Sequence, residues 1–255
     1  MGASFNLRLT FNRRHPFDVS HRTDTSGYVP RRACVPDQIL AKKIVSYEAV
    51  QPSIVRQALR ALPEPSWLRE YCFIDIGCGK GRALIVASES PFRRVIGIEI
   101  SSQLADIARK NAVTIRRQFP LRPKIDVVVG NATDVPLTEP KIVLFLYNPF
   151  DAELMAQLLI NIESGLEHKI EHMFIVYHNP VACQVFDSST KIIRWHAARF
   201  SCESAEQRYG YPSEGATIIW QSKSNAIPTP HSHSDRLVLV TDGKSTRLAP
   251  LGDHR

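Results

Sequence analysis

Three glycines at alternate positions follow a short apolar run that ends in an acidic residue. The run covers residues 73–76 and carries Asp75, and the glycines are Gly77, Gly79 and Gly81. Glycine lets a backbone approach a ligand closely, and the N-terminus of a following helix offers unpaired N–H groups and a partial positive charge. The segment therefore predicts a ligand-binding loop between a buried strand and a helix.

The glycine spacing discriminates between two kinds of nucleotide ligand. A dinucleotide site places its third glycine three residues after the second, where the helix packs beneath a pyrophosphate. Arg82 stands at that position here, and the third glycine comes one residue earlier. The spacing disfavours a nicotinamide oxidoreductase, which stays the weaker alternative. A tight strand-to-helix turn that binds nothing is the other reading of the glycines taken alone.

A second apolar run, residues 94–100, ends near the acid Glu99. This acid lies about twenty residues beyond the glycines, where a carboxylate can accept hydrogen bonds from both hydroxyls of a ribose. We therefore expect Glu99 to hold a ribose. The alternative is a surface acid paired with a lysine or arginine.

The acid and its three glycines resemble the first motif of the class I S-adenosylmethionine-dependent methyltransferases. The resemblance implies that the loop backbone, Cys78 included, wraps the methionine end of S-adenosylmethionine. It also implies that Asp75 anchors the amino-acid part of this cofactor, through its ammonium group or through water. Members of the family often carry an acid after the third strand that accepts from the adenine amine. Asn131 stands in that place here, with Asp134 as the alternative, and the backbone of Ala132 is the expected partner of a ring nitrogen.

Two later apolar runs end in polar and aromatic residues, Tyr147-Asn148-Pro149-Phe150 and Tyr177-His178-Asn179-Pro180. In open α/β sheets ligands bind beyond the carboxyl ends of the strands, so these ends should face the reacting methyl group. The first resembles the Asn-Pro-Pro-aromatic motif of amino-methyltransferases, with one proline fewer. That resemblance implies that Asn148 contacts the methyl acceptor, and we also expect Asn148 to contact the cofactor. A plain Asn-Pro turn is the alternative.

We also expect Tyr177 and His178 to face the acceptor. A histidine has a pKa near the working range and could take a proton, although a structural hydrogen bond is the alternative role. His168 and His172 have the spacing of one helix face, but no metal-binding signature surrounds them. We therefore predict no metal site.

Upstream, Tyr47-Glu48 and Gln51-Pro52 resemble the segment that covers the cofactor in lysine methyltransferases of the disruptor-of-telomeric-silencing type. This resemblance implies that Tyr47 contacts the cofactor. The Gly-Lys-Gly-Arg loop and the Tyr-Asn-Pro-Phe stretch are also similar to those of small uncharacterised bacterial-type methyltransferases, for which no substrate follows.

Short apolar runs alternate with amphipathic stretches from residue 71 onward, which is typical of repeated βα units. We expect strands at residues 72–76, 94–98, 125–129, 141–147 and 172–177, followed by 191–200 and 216–221 without a helix between the last two. We expect helices at 52–62, 82–88, 102–111, 152–163 and 181–186. The predicted fold is α/β and Rossmann-like: a mostly parallel seven-stranded sheet with an antiparallel final strand and helices on both faces.

The chain has 255 residues, of which 44% are hydrophobic, enough for one substantial core. We expect an N-terminal cap or substrate segment at 1–50, a methyltransferase domain at 51–222 and a disordered tail at 223–255. No apolar run approaches the roughly 18 residues of a membrane span. Five scattered cysteines suit a reducing cytoplasm.

Residues 1–150 carry 22 basic and 13 acidic side chains, whereas residues 151–222 carry 5 and 9. Such an asymmetry could steer an acidic partner such as RNA, but a basic surface is more often only solvated, so nucleic acid is not favoured. The sequence predicts an S-adenosylmethionine-dependent methyltransferase directed at a nitrogen of an unidentified acceptor. RNA or protein lysine as acceptor, and a nucleotide-binding module without catalysis, are the alternatives. No oligomeric state is indicated.

Overall fold

The computed structural model describes residues 13–63, 66–209, 215–228, 237–241 and 245–249. A seven-stranded sheet forms the centre of the fold. Its strands are β3 (Cys72–Ile76), β4 (Arg94–Glu99), β5 (Ile125–Val129), β6 (Lys141–Tyr147), β7 (His172–His178), β8 (Ile192–Phe200) and β9 (Gly215–Ser222). They lie side by side in the order β5-β4-β3-β6-β7-β9-β8. Strands β3 to β7 run parallel to one another. Strand β9, the last strand of this sheet in chain order, is antiparallel to its neighbours β7 and β8. The predicted Rossmann-like α/β fold is confirmed.

Helices cover both faces of this sheet. They are α4 (Pro52–Arg60), α5 (Arg82–Ala87), α6 (Ser102–Gln118), α7 (Ala152–His168) and α8 (Cys183–Asp187). Alternate residues of the central strands enter two separate apolar clusters, so that Phe73 and Phe145 pack with α4 and α5 while Ile74 and Leu144 pack with α7. Burial on both faces explains why these strands are continuous apolar runs.

Two helices extend beyond their predicted ends. Helix α6 runs to Gln118 and α7 to His168, each starting at a side-chain cap: Ser101 accepts from the amide of Leu104, and Asp151 from that of Leu154. Basic residues occupy the last turn of α6, where they suit the negative end of the helix dipole. Because these residues are polar, the apolar spacing of the sequence did not indicate the C-terminal part of α6.

The stretch of residues 15–48, hereafter the cap segment, crosses the carboxyl ends of the central strands. It contains α1 (Pro16–His21), β1 (Tyr28–Val29), α2 (Arg31–Cys34), α3 (Leu40–Lys43) and β2 (Tyr47–Glu48). β1 and β2 form a small antiparallel sheet. An isolated bridge between Ile44 and Phe150 joins the segment to the chain that follows β6.

Strands β10 (Leu237–Thr241) and β11 (Ser245–Ala249) form a separate antiparallel pair within the predicted tail. The prediction of disorder for the rest of the tail falls mostly on residues outside the described ones, so it stays a prediction. The division of the chain at residues 50 and 222 stays a prediction. In the parts of the chain that the structure describes, no helix has the length and apolar character needed to cross a membrane.

Candidate functional site

The glycine loop has a backbone that only glycine adopts readily. Gly77, Gly79 and Gly81 have φ of 71°, 55° and 86°, in the left-handed region. A Cβ atom placed on Gly79 would lie 2.1 Å from the ring of Tyr47, so the aromatic side chain rests directly on the loop backbone. The loop therefore needs glycine at position 79 both for its conformation and for this contact.

Glu99 lies beside the loop and is almost fully buried. One carboxylate oxygen accepts a hydrogen bond from the amide of Gly79 at 2.7 Å, and the other accepts from the amide of Ser101 at 2.8 Å. Burial raises the pKa of Glu99 above its usual value, against the effect of these amide hydrogen bonds. The amide of Ile100 also hydrogen-bonds this carboxylate. Three of about four lone-pair positions are thus used, and one can still accept from a ligand.

Two small adjoining cavities follow the carboxyl edge of the sheet under the cap segment. The first, of about 80 Å³, is lined by Tyr47, Glu48, Gly77, Glu99 and Tyr147, among others. The second, of about 20 Å³, shares Gly77 with the first and reaches Asn131 and Ala132. Together they pass from the loop to Glu99 and on to the segment after β5, which is the predicted order of cofactor contacts.

The segment after β5 holds the residues predicted to meet an adenine. The side chain of Asn131 accepts from the amide of Thr133 at 3.2 Å and donates to the carboxylate of Asp134 at 3.3 Å. Asp134 is exposed, whereas Ala132 is buried and its carbonyl accepts from Asn161. Of the two candidates for the adenine amine, only Asn131 lines a cavity.

Asp75 is buried near the carboxyl end of β3, where the charge of Glu99 acts on it, and does not line either cavity. Burial, and then the charge of Glu99, raise the pKa of Asp75 to about 8. At neutral pH this carboxyl group is therefore mostly protonated. A cation brought close to it would favour the charged form and release a proton.

Two residues predicted to face the acceptor are in contact. The hydroxyl of Tyr177 donates to Oδ1 of Asn148 at 3.2 Å, although the two residues belong to the ends of different strands. Asn148 has a φ of 41° and lies between Tyr147 and Pro149, both of which line the larger cavity. Tyr177 is buried, so it holds the Asn148 side chain in place from behind.

The cap segment is bound to the same strand end. The amide of Val45 donates to the carbonyl of Pro149 at 3.2 Å, and the amide of Asp151 donates to the carbonyl of Lys43 at 2.8 Å. Asn148 itself lines neither cavity. Its side chain and the carbonyl of Pro149 each already accept one hydrogen bond from within the chain.

His178 is fully buried and lines neither cavity. Its Nδ1 atom lies 2.8 Å from the hydroxyl of Thr217, and its Nε2 atom has no hydrogen-bond partner among the described residues. Burial lowers the pKa of His178 to about 3, so the ring is neutral at pH 7. The ring of Tyr147 lies 5.4 Å away and separates it from the larger cavity.

A buried polar network, which was not predicted from the sequence, holds the cap segment on the glycine loop. Arg82 is buried; its Nε donates to the hydroxyl of Thr25 at 2.7 Å, and its guanidinium lies 3.6 Å from the carboxylate of Asp18. Lys80 donates to the carbonyl of Ser26 at 2.7 Å. The two cations of the loop therefore bind the chain itself, and no local sequence pattern indicates partners more than fifty residues away.

Two other cavities of the described chain contain none of the predicted site residues. These wider surface clefts, of about 490 and 500 Å³, share Phe119, Arg122 and Pro123 at the opposite edge of the sheet. No three His, Cys, Asp or Glu side chains of the described residues come together as metal ligands. All five cysteines are buried and unbridged.

Residues 73–166 match the protein family described as "Methyltransferase domain". This range contains the loop, Glu99, Asn131 and Asn148. This match supports the predicted class I S-adenosylmethionine-dependent methyltransferase domain. S-adenosylmethionine is the cofactor of such domains, as the glycine motif predicted. The assignment of individual residues to the cofactor stays a prediction.

The chain is 30% identical over 127 residues to the ribosomal protein L11 methyltransferase of Hamiltonella defensa subsp. Acyrthosiphon pisum (strain 5AT). The match covers 45% of the chain and 41% of that relative. The chain thus matches about two fifths of the length of this curated relative.

Solved structures of methyltransferases also resemble it. An RNA methyltransferase from Salinibacter ruber in complex with S-adenosyl-L-homocysteine is 17% identical with a TM-score of 0.42; the match covers 73% of this chain and 100% of that one. A ribosomal protein L11 methylase from Lactobacillus delbrueckii subsp. bulgaricus is 17% identical with a TM-score of 0.43, covering 67% and 77%.

Proposed function

We propose that this chain transfers the methyl group of S-adenosylmethionine to a nitrogen atom of its acceptor. The observation that carries the proposal is a pair of oxygen acceptors at the end of β6: the carbonyl of Pro149, a residue that lines the larger cavity, and Oδ1 of the preceding Asn148, which itself lines neither cavity. A nitrogen acceptor carries N–H groups that can donate hydrogen bonds to these two oxygens. Such hydrogen bonds would orient the lone pair of the nitrogen toward the methyl group. An oxygen acceptor has at most one such hydrogen.

The predicted cofactor residues support one orientation of the bound molecule. Tyr47, Asp75 and the loop would hold its amino-acid end, Glu99 its ribose, and Asn131 with the backbone of Ala132 its adenine. Four features favour this arrangement: the left-handed loop backbone, the remaining lone pair of Glu99, the partly exposed amide of Asn131, and the cavities that join Gly77, Glu99 and Asn131 in this order.

When bound, S-adenosylmethionine supplies a methyl group on a positively charged sulfur. The chain contributes position and electrostatics, because no side chain has to form a covalent intermediate. Asn148 and Pro149 would accept hydrogen bonds from the acceptor nitrogen. Tyr177 acts as a positioning residue that fixes the amide of Asn148.

His178 has a different part in this proposal from the one that the sequence suggested. A pKa of about 3 makes its ring a weak base at pH 7, and Tyr147 lies between it and the cavity. We therefore assign the proton that leaves the acceptor nitrogen to solvent. His178, held by Thr217, would support the ring of Tyr147 from behind.

The cap segment has to move before ligands bind. Ligand pockets usually enclose about 300–1,000 Å³, whereas the cavities here enclose about 80 and 20 Å³. The hydrogen bond from Val45 also occupies the carbonyl of Pro149. Release of residues 43–45 would enlarge the pocket and expose this carbonyl in one step.

Labelled methyl transfer tests the proposal. The purified protein would be incubated with S-adenosylmethionine carrying a tritiated methyl group and with total RNA or ribosomal protein, the acceptors named in its relatives. Mass spectrometry would then locate the methyl group. We expect N-methylation, lowered about 10²-fold in kcat by Asn148→Ala and less by Tyr177→Phe, with unchanged cofactor affinity in both. A methyl group on oxygen or carbon, or full activity of Asn148→Ala, would overturn it.

A further inference from the structure

Exposed basic side chains cluster on the cap segment. Residues 28–43 contain four basic side chains and a single acidic one. Lys43 pairs with Glu153, but Arg31, Arg32 and Lys42 are exposed and form no ion pair with any described residue. This part of the cap segment therefore carries positive charge that the described chain does not neutralise.

The backbone segments that carry Arg31 and Lys42 border the two cavities. The hydroxyl of Tyr28 and the amide of Arg31 both donate to the hydroxyl of Ser46, at 2.9 and 3.1 Å, and Ser46 lines that cavity. Lys42 belongs to α3, which contributes Leu40 to the smaller cavity. A molecule held by the cations would thus be held beside the proposed site of methyl transfer.

Large apolar side chains are exposed among the cations. Tyr28, Ile39 and Val45 expose 48%, 71% and 43% of their surface. Surfaces that bind single-stranded nucleic acids combine cations for the phosphates with aromatic and apolar side chains against which bases pack. We call these six residues the cap surface: Tyr28, Arg31, Arg32, Ile39, Lys42 and Val45.

We infer that the cap surface binds the phosphate backbone of a nucleic acid strand and presents one of its bases to the cavity. This inference rests on the proposed function and names the class of its acceptor. A lysine-rich protein acceptor would be repelled by Arg31, Arg32 and Lys42. An acidic peptide would meet the cations but would have no bases to place against Tyr28. The exocyclic amine of a base is a nitrogen acceptor of the kind that Asn148 and Pro149 suit.

Fluorescence anisotropy with labelled 12-mers of single-stranded RNA and DNA tests the inference, with poly-glutamate of equal charge as a third probe. The triple variant Arg31→Glu, Arg32→Glu, Lys42→Glu is compared with Arg69→Glu, Arg117→Glu, Lys169→Glu. The control residues are equally exposed and form no ion pair with any described residue, but they lie at the opposite edge of the sheet. Calorimetric titration with S-adenosylhomocysteine checks every variant for folding and cofactor binding.

We expect the protein to bind single-stranded RNA or DNA. The strand that it binds more tightly would identify the acceptor as RNA or DNA. Three phosphate contacts on a single strand give a salt slope of about −2, so affinity should fall about 16-fold between 50 and 200 mM salt. The cap-surface variant should bind at least about tenfold more weakly, and the control variant as the unaltered protein does. Equal affinity of both variants, equal binding of poly-glutamate, or no binding of either strand would overturn the inference. Loss of cofactor binding by the unaltered protein would instead overturn the proposed function.

Discussion

The amide of Val45 donates a hydrogen bond to the carbonyl of Pro149, and Ile44 pairs with Phe150 beside it. This contact joins the cap segment to the strand end that carries Asn148. It covers the two cavities, whose linings include five of the predicted cofactor residues: Tyr47, Gly77, Glu99, Asn131 and Ala132. The same contact would therefore control access both to the cofactor site and to the acceptor site.

Replacing Val45 by proline removes this hydrogen bond. Ile44 is already extended, with φ of −100° and ψ of 162°, a conformation that a following proline favours. A lost backbone hydrogen bond is worth about 1 kcal/mol, so the open state should gain about fivefold in population. We expect Val45→Pro to speed association of S-adenosylhomocysteine by a similar factor in stopped-flow fluorescence. Val45→Ala keeps the amide and should match the unaltered protein. An unchanged rate in Val45→Pro would show that this contact does not limit access.

Substitution of Gly79 separates backbone strain from the contact with Tyr47. Gly79→Ala should lower the free energy of unfolding by roughly 1–3 kcal/mol, because φ is 55° and the new Cβ would collide with the ring of Tyr47. Gly27→Ala is the matched control, since φ is 100° there and the nearest atom lies 3.8 Å from the new Cβ.

Urea denaturation would compare both glycine variants in the presence and absence of Tyr47→Ala. Removal of the ring should reduce the effect of Gly79→Ala and leave that of Gly27→Ala unchanged. Equal effects in both backgrounds would contradict a direct contact between the ring and the loop.

The buried pair of Arg82 and Asp18 should be essential to the cap segment. Asp18→Ala leaves the guanidinium buried without its carboxylate, which typically costs about 3–5 kcal/mol. We expect lower stability together with rapid proteolysis within residues 15–48. Asp24→Ala removes the exposed partner of Lys80 and should cost less than about 1 kcal/mol. Limited proteolysis with mass-spectrometric mapping checks both, and a protected cap segment in Asp18→Ala would refute this role.

Acid should destabilise the protein partly through His178. An unfolded histidine titrates near pH 6.5, while burial lowers the pKa of His178 in the folded protein to about 3. Between these values the unfolded chain binds more protons, so the free energy of unfolding falls as the pH drops. The loss from this residue should reach about 2 kcal/mol at pH 5.

His178→Asn keeps an acceptor for Thr217 and removes the titration. Its stability should therefore decline less between pH 7 and pH 5, by about 2 kcal/mol. A residual slope is expected from His15, whose pKa burial lowers to about 4. Urea midpoints at several pH values measure both slopes, and identical slopes for the two proteins would mean that His178 is not buried as a neutral ring.

The sheet could be predicted closely from the sequence. Strands such as β3 and β6 are buried on both faces, so they form continuous apolar runs whose limits are easy to find. The glycine loop and Glu99 were found for a similar reason, because both depend on residues within or next to a strand. The roles of these residues toward the cofactor stay predictions.

Contacts between distant parts of the chain could not be predicted in this way. Arg82 and Asp18 are 64 positions apart, and Tyr177 and Asn148 are 29 apart. Neither pairing follows from helical or strand periodicity, since each depends on how whole elements pack. The same holds for Val45, which has no motif of its own and meets Pro149 only because the cap segment crosses the sheet.

Calorimetric titration of S-adenosylmethionine and S-adenosylhomocysteine into the purified protein would measure whether the chain binds this cofactor, with NADH as the control ligand. We expect a Kd of about 1 μM for either methyl-cycle ligand, equivalent to about −8.2 kcal/mol, and no heat from NADH. Glu99→Ala should weaken binding at least about tenfold, because hydrogen bonds to a carboxylate are lost. Glu171→Ala, at an exposed acid that lies outside the cavities and outside the cap segment, should not. A folded protein that binds neither ligand, or a Glu99→Ala variant that binds as tightly as the unaltered protein, would contradict the account.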